Sequence, residues 1–337
     1  MTITLLILCL LGLAGYLLVS GFHDAPNAVA VAVRTRALTP MTALTISASL
    51  NFIGVILSCF IFARYLSSWL HLPNGQLGLA MLATALTAQV SWEILTWWLR
   101  MPSSSTHALI GGLTGAAWAL DHLGLASINP FTEPFHSFIL IPFILFPLLV
   151  FALSWFLVFP LSQLAQRTYP RTVNKISRNV LSLASSLISL THGMHVGQRA
   201  LTLFLVMLAC ANLQPASWIN TLASLACALL LAAGTLLGGW RIGYTFAHKM
   251  VYIDPFRGSI AQATTALSML LAQTIFSTSA SSSHLAAASV LGAGLNQRFS
   301  SVRTSIVVKV LLTWVATMPM TFVISSVLLL ALSPLLH

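Results

Sequence analysis

Long apolar runs recur from one end of this chain to the other, with only short polar joints between them. A helix needs about 20 apolar residues to cross the hydrocarbon core, whereas a barrel strand needs only about ten with alternating polarity. The runs at 1–22, 41–63, 77–99 and 136–162 in the first half meet the helical requirement, as do 179–211, 221–240, 258–278 and 310–333 in the second. Two shorter stretches, 104–120 and 284–297, lie between them. Lipid offers backbone amides no partner, so only helices or closed barrels can span it. The expectation is an all-α integral membrane protein. Composition agrees, because 6% of the 337 residues are charged where a soluble domain carries roughly 25%. Residues 1–22 lack a basic leader and run into a polar motif, so they read as a retained first span rather than a cleaved signal.

The formal charge of +10 does not point to nucleic acid, because the basic residues are scattered between spans. Arg167, Arg171, Lys175 and Arg178 cluster in one polar connector, and we expect a first repeat at 1–166, a cytoplasmic connector at 167–178 and a second repeat at 179–337. Threading the spans outward from that connector puts every Lys and Arg on the cytoplasmic side except Arg64, which falls outside, and Arg199, which lies within a span. The segment 121–135, with Asp121 and Glu133 but no Lys or Arg, falls outside. That partition satisfies the positive-inside rule. It predicts a multi-pass protein of the cell membrane with both termini outward. An odd number of crossings per half makes the two repeats inverted.

Motifs support the repeat. Gly21-Phe22-His23-Asp24-Ala25-Pro26-Asn27 has a counterpart in His192-Gly193-Met194-His195-Val196-Gly197-Gln198, and Ser104-Ser105-Thr106-His107 in Ser281-Ser282-Ser283-His284. Gly21 precedes Gly193 by the same interval as His23 precedes His195. Ser104 precedes Ser281 by the same interval as His107 precedes His284. Paired motifs at membrane depth indicate a transporter with its site between internal repeats.

The chemistry follows from residue types. A carboxylate at the bilayer centre costs at least about 2.5 kcal/mol on insertion scales, so Asp24 reads as functional rather than as an interfacial end to its span. Pro26 lacks a backbone donor and disfavours helix at Ala25, which predicts a break freeing carbonyls and the Asn27 amide for a cation. Ser104, Ser105 and Thr106, and Ser281, Ser282 and Ser283, open small-residue helices. Such hydroxyls either cap the helix or, with exposed amides, bind an anion. Their recurrence favours a cage for a tetrahedral oxyanion. His107 and His284 either touch that anion or pack behind it, and His23 and His195 are candidate proton carriers because imidazole titrates near neutrality. Glu93 is too far along its helix from Arg100 to pair with it. Arg199 is a candidate to neutralise an acid or to line the cytoplasmic path. Trp97, Trp98, Trp218, Trp240 and Trp314 read as interfacial anchors and packing, and Cys9, Cys59, Cys210 and Cys227 as inert packing residues.

Taken together, GFHDAPNA at 21–28, PSSSTH at 102–107, HGMHVGQR at 192–199 and SASSSH at 279–284 resemble the signatures of the PiT family of inorganic phosphate transporters. The resemblance covers nearly the whole chain. It implies two inverted repeats with broken helices and re-entrant-type helical hairpins, a homodimer in lipid, and movement of inorganic phosphate with sodium or protons. Carried over by position, Asp24, Asn27 and Gln198 would serve the cation, and Ser104, Ser105, Thr106, Ser282 and Ser283 the anion. The chain departs from the family pattern at His23, His195, Val196 and Glu93, where the family has asparagine, asparagine, aspartate and asparagine. Oxygen ligands suited to sodium are lost and titrating groups gained. The reading is proton-coupled phosphate import with Asp24, Asn27, His23, Glu93, His195 and Gln198 at the coupling-cation site and His107, His192, Arg199 and His284 behind. Sulfate or another tetrahedral oxyanion, and a non-transporting anion sensor, remain alternatives. A divalent metal at His23, Asp24, His192, His195 and Glu93 is a third. The serines lack base–acid partners and there is no Walker motif, so neither an enzyme nor an ATP-driven pump is expected, and no cofactor, resident metal or nucleic-acid partner.

Overall fold

A computed structural model describes residues 1–61, 72–274, 281–295 and 302–336. Arg64, Arg298, Ser279 and Ala280, each given a place by the sequence, lie outside the described residues. The elements in chain order are α1 (Thr2–Arg34), α2 (Pro40–Ile61), α3 (Gln76–Trp98), α4 (Ser105–His122), α5 (Glu133–Phe135), α6 (Ile141–Ala165), α7 (Pro170–Cys210), α8 (Ser217–Leu237), α9 (Trp240–Tyr244), α10 (Pro255–Thr274), α11 (Ser282–Leu295) and α12 (Thr304–Leu332). One π-helical turn joins α5 to α6 at His136–Leu140, and another follows α9 at Thr245–Met250. Among the described residues, α1, α2, α3, α6, α7, α8 and α12 are the seven helices long and apolar enough to cross a membrane. This is a multi-pass all-helical membrane protein.

Two expectations need correction. The predicted break at Gly21–Asn27 is absent, because α1 runs unbroken from Thr2 to Arg34 with Pro26 inside it. A proline in a helix interior costs about 3 kcal/mol, but burial outweighs it here. Residues from Gly21 to Ala32, save Phe22, are buried where α1 packs on α3, α7, α8 and α9. Gly239 lies against the Phe22 carbonyl, the one that Pro26 deprives of its helical donor, and an added Cβ there would overlap that oxygen. The counterpart motif also stays helical within α7. The second correction concerns the connector at 167–178, most of which is the start of α7. At 1.5 Å per residue this 41-residue helix is about twice the hydrocarbon thickness, and its first turns are largely exposed.

Contacts between elements come in matched sets: α1 packs on α8 and α2 on α7, α3 on α4 and α10 on α11, α4 on α12 and α11 on α6. Glycines set the first two crossings. A Cβ on Gly21 would sit 2.8 Å from the Thr235 amide nitrogen, and one on Gly193 would sit 2.7 Å from Asn51 Cα. Close helix approach through small residues is how membrane helices gain packing when lipid already solvates their apolar faces. Gly111 and Gly115 play this part where α4 meets α12, and Gly292 where α11 meets α6. These crossings bring the start of α4, the start of α11 and the middles of α1, α3 and α7 to one buried locus.

Candidate functional site

At that locus the Asp24 carboxylate gathers both serine motifs. Ser105 Oγ donates to Asp24 Oδ2 at 2.8 Å, and Ser283 Oγ donates to Oδ1 at 3.2 Å. The Asn27 amide spans to the second motif, donating to Ser283 Oγ at 2.9 Å and reaching Ser282 Oγ at 3.5 Å. It also lies 3.4 Å from Asp24 Oδ1. Asp24 and Asn27 fall on one face of α1, at the spacing that brings side chains together on a helix. Segments far apart in sequence thus meet on a single carboxylate.

Imidazoles complete the cluster around it. His23 Nδ1 is 3.1 Å from Asp24 Oδ1, and His192 Nε2 is 3.4 Å from Oδ2. His23 Nε2 faces the hydroxyls of Thr96 and Ser103, each at 3.2 Å. His192 Nδ1 faces Asn51 Oδ1 at 3.0 Å, and Asn51 in turn donates to Thr235 at 2.9 Å. Both rings are therefore oriented by neighbours from other segments. Glu93 joins them from α3: ligand atoms of His23, Asp24 and Glu93 all lie within 4.8 Å of one another. Glu93 is fully buried. Its Oε2 accepts from Gln89, while Oε1 has no partner among the described residues.

Other expected residues take different places. Ser104 is the N-cap of α4, its Oγ accepting from the His107 amide at 3.3 Å and lying 2.8 Å from His107 Nδ1. Ser281 does the same before α11, accepting from the His284 amide at 3.4 Å. His107 and His284 stack on each other with ring centroids 4.9 Å apart, and Phe143 abuts both rings. They pack behind the serine motifs. His195 and Gln198 are buried on α7, and His195 Nε2 has no partner among the described residues. Arg199 contacts Thr106 Oγ1 and Tyr16.

Gln89, Thr96, Tyr16 and Ser20 sit at the site without having stood out in the sequence. Gln89 and Thr96 share a face of α3 with Glu93, and Tyr16 and Ser20 share a face of α1 with His23 and Asn27. That polar periodicity is visible in the sequence and signals a lined interior. Trp314 packs beside the site: it is buried, its ring 4.1 Å from that of His284, so of the two expected roles it takes packing. Trp98 and Trp218 are exposed. Trp97 carries the Arg241 guanidinium 4.9 Å above its ring.

Comparisons over the whole chain bear on its family and fold. A model described as the phosphate transporter family matches residues 20–325. A probable low-affinity inorganic phosphate transporter of Bacillus subtilis is 32% identical over 311 residues, 92% of this chain and 91% of that protein. One from Rhizobium meliloti is 32% identical over 310 residues, 91% of this chain and 90% of that protein. In fold the chain is similar to a solved structure described as the sodium-dependent phosphate transporter, with TM-score 0.72, 18% identity, and 98% and 99% of the two chains covered. Every paired motif falls inside the matched region, and the chain belongs to the phosphate transporter family, a family of transporters rather than enzymes.

Proposed function

We propose that this protein is a secondary active importer of inorganic phosphate, coupled to protons rather than sodium, with both termini outside. The relatives named above are described as probable low-affinity inorganic phosphate transporters, which supports the substrate. The matched contacts of α1 with α8 and α2 with α7, and of α4 with α12 and α11 with α6, support two inverted repeats.

The observation that carries the coupling is the Asp24 cluster. One buried carboxylate holds hydroxyls from both serine motifs and two imidazoles, with Glu93 beside it. Protonating Asp24 weakens its hold on Ser105 and Ser283 and releases those hydroxyls toward an entering oxyanion. Deprotonation after release of the anion restores the bridge. Its counterpart position on α7 is the apolar, fully buried Val196, so two equivalent sodium sites are not available. The test is radiolabelled phosphate uptake into reconstituted vesicles under a proton gradient alone and a sodium gradient alone. Uptake is expected with protons only. Uptake that needs sodium and persists when a protonophore collapses the pH gradient would overturn the coupling.

The spacing of His23, Asp24 and Glu93 favours a second reading, in which a divalent cation travels with the anion. Both nitrogens of His23 already have partners, so an ion would have to displace one of them. Loss of uptake on chelation, restored by added divalent metal, would establish this reading over the first.

A further inference from the structure

Arg199 is buried on α7, 7% exposed, and among the described residues no carboxylate lies within ion-pair distance of it. A buried charge with no ion-pair partner costs several kcal/mol; Glu93 acts on this one only from beyond ion-pair distance, which leaves the guanidinium able to take an anion. Its position sharpens the question. The guanidinium bonds to Thr106 Oγ1, and Thr106 is the second residue of α4. The first helical amides, those of Ser105 and Thr106, have no acceptor among the described residues. A helix N-terminus carries partial positive charge and is stabilised by anions. A fixed cation beside it raises the energy of the empty site. Tyr16, fully buried on α1, holds the other edge of the fork, accepting from Arg199 Nε at 3.1 Å. Two like-signed features have thus been held together by specific bonds, and an oxyanion between them satisfies both.

We propose that Arg199 is a direct ligand of the transported oxyanion and its specificity-determining cation, with Tyr16 as the residue that positions it. This rests on the oxyanion reading of the same site. The planar fork matches two oxygens of a tetrahedral anion in a way that an ammonium cannot. Thr106 serves as the hinge, contacting the guanidinium through its hydroxyl and the anion through its amide.

The test uses the full-length protein, with inorganic phosphate as probe, read by uptake and by thermal melting in detergent. Arg199→Gln is expected to raise the phosphate KM about tenfold or more, as loss of a charged hydrogen bond does. Arg199→Lys should fall between it and the native protein, and Tyr16→Phe should raise KM by a smaller factor. Without phosphate, Arg199→Gln should melt no lower than the native protein, because it removes a buried charge that no ion pair holds, and it should lose the upward shift that phosphate gives. A lowered melting point with the phosphate shift intact would make Arg199 structural and overturn the proposal, as would a KM within about twofold of native. If the native protein moves no phosphate but moves sulfate, the phosphate reading fails, and the same variants measured with sulfate decide the role of Arg199.

Discussion

At the residue scale the proposed coupling turns on the difference between an acceptor that can change charge and one that cannot. Asp24 accepts from Ser105, Ser283 and Asn27, and asparagine in its place keeps one acceptor oxygen but neither titrates nor carries a charge. Asp24→Asn is therefore expected to abolish proton-driven phosphate uptake while the protein still folds in the membrane. Gradient-driven accumulation in vesicles measures it, and native-level accumulation would remove Asp24 from the coupling step. The other half-site offers the converse. Val196 is fully buried beside His195, and replacing Val196 by Asp together with His195 by Asn supplies the oxygen ligands sodium prefers. Uptake by this double variant should acquire sodium dependence; an unchanged response to sodium would argue that the half-sites do not share a role.

At the element scale, glycine crossings decide which helices meet. A Cβ at Gly21 or Gly193 collides with the backbone of the neighbouring helix, whereas one at Gly15 on the same α1 meets only Val90, with Cγ2 at 3.4 Å. Gly21→Ala and Gly193→Ala should each lower stability by about 1–3 kcal/mol through overpacking. Gly15→Ala should be neutral or stabilising, since alanine is the better helix former by about 1 kcal/mol. Melting of the purified protein separates the two classes, and equal melting points for all three would contradict the close approach. The unbroken α1 teaches the same lesson. Pro26 marked a break in local terms, and neighbouring helices packed around it kept the segment helical.

At the scale of the whole molecule, the charge distribution makes a topological prediction. Asp121 and Arg171 are both exposed, one in the acidic segment at the end of α4 and the other at the basic start of α7. A cysteine at position 121 should react with a membrane-impermeant reagent in intact cells, and one at 171 only after permeabilisation. The opposite pattern would reverse the orientation of both termini and the direction in which the site first opens. The described native cysteines, Cys9, Cys210 and Cys227, are buried and give little background.

Read one residue after another, the chain was enough to establish its class, its long apolar spans and the paired motifs that carry the family. Those properties are local or periodic: a run of apolar side chains, a recurring string, a one-sided distribution of charge. Asp24, Asn27 and the serines could be picked out because a polar group at membrane depth is costly and so marks function. Which groups meet is a matter of packing, and no local signal carries it. Ser105 and Ser283 are brought by different helices to the two oxygens of one carboxylate, Ser104 and Ser281 serve as caps, and Trp314 packs on His284. Arg199 could be placed within a span from sequence, but its lack of a carboxylate and its clasp on Tyr16 and Thr106 depend on three helices packing at once. Periodicity tells which face of a helix is polar, whereas the partner across that face is chosen by packing between segments the sequence separates.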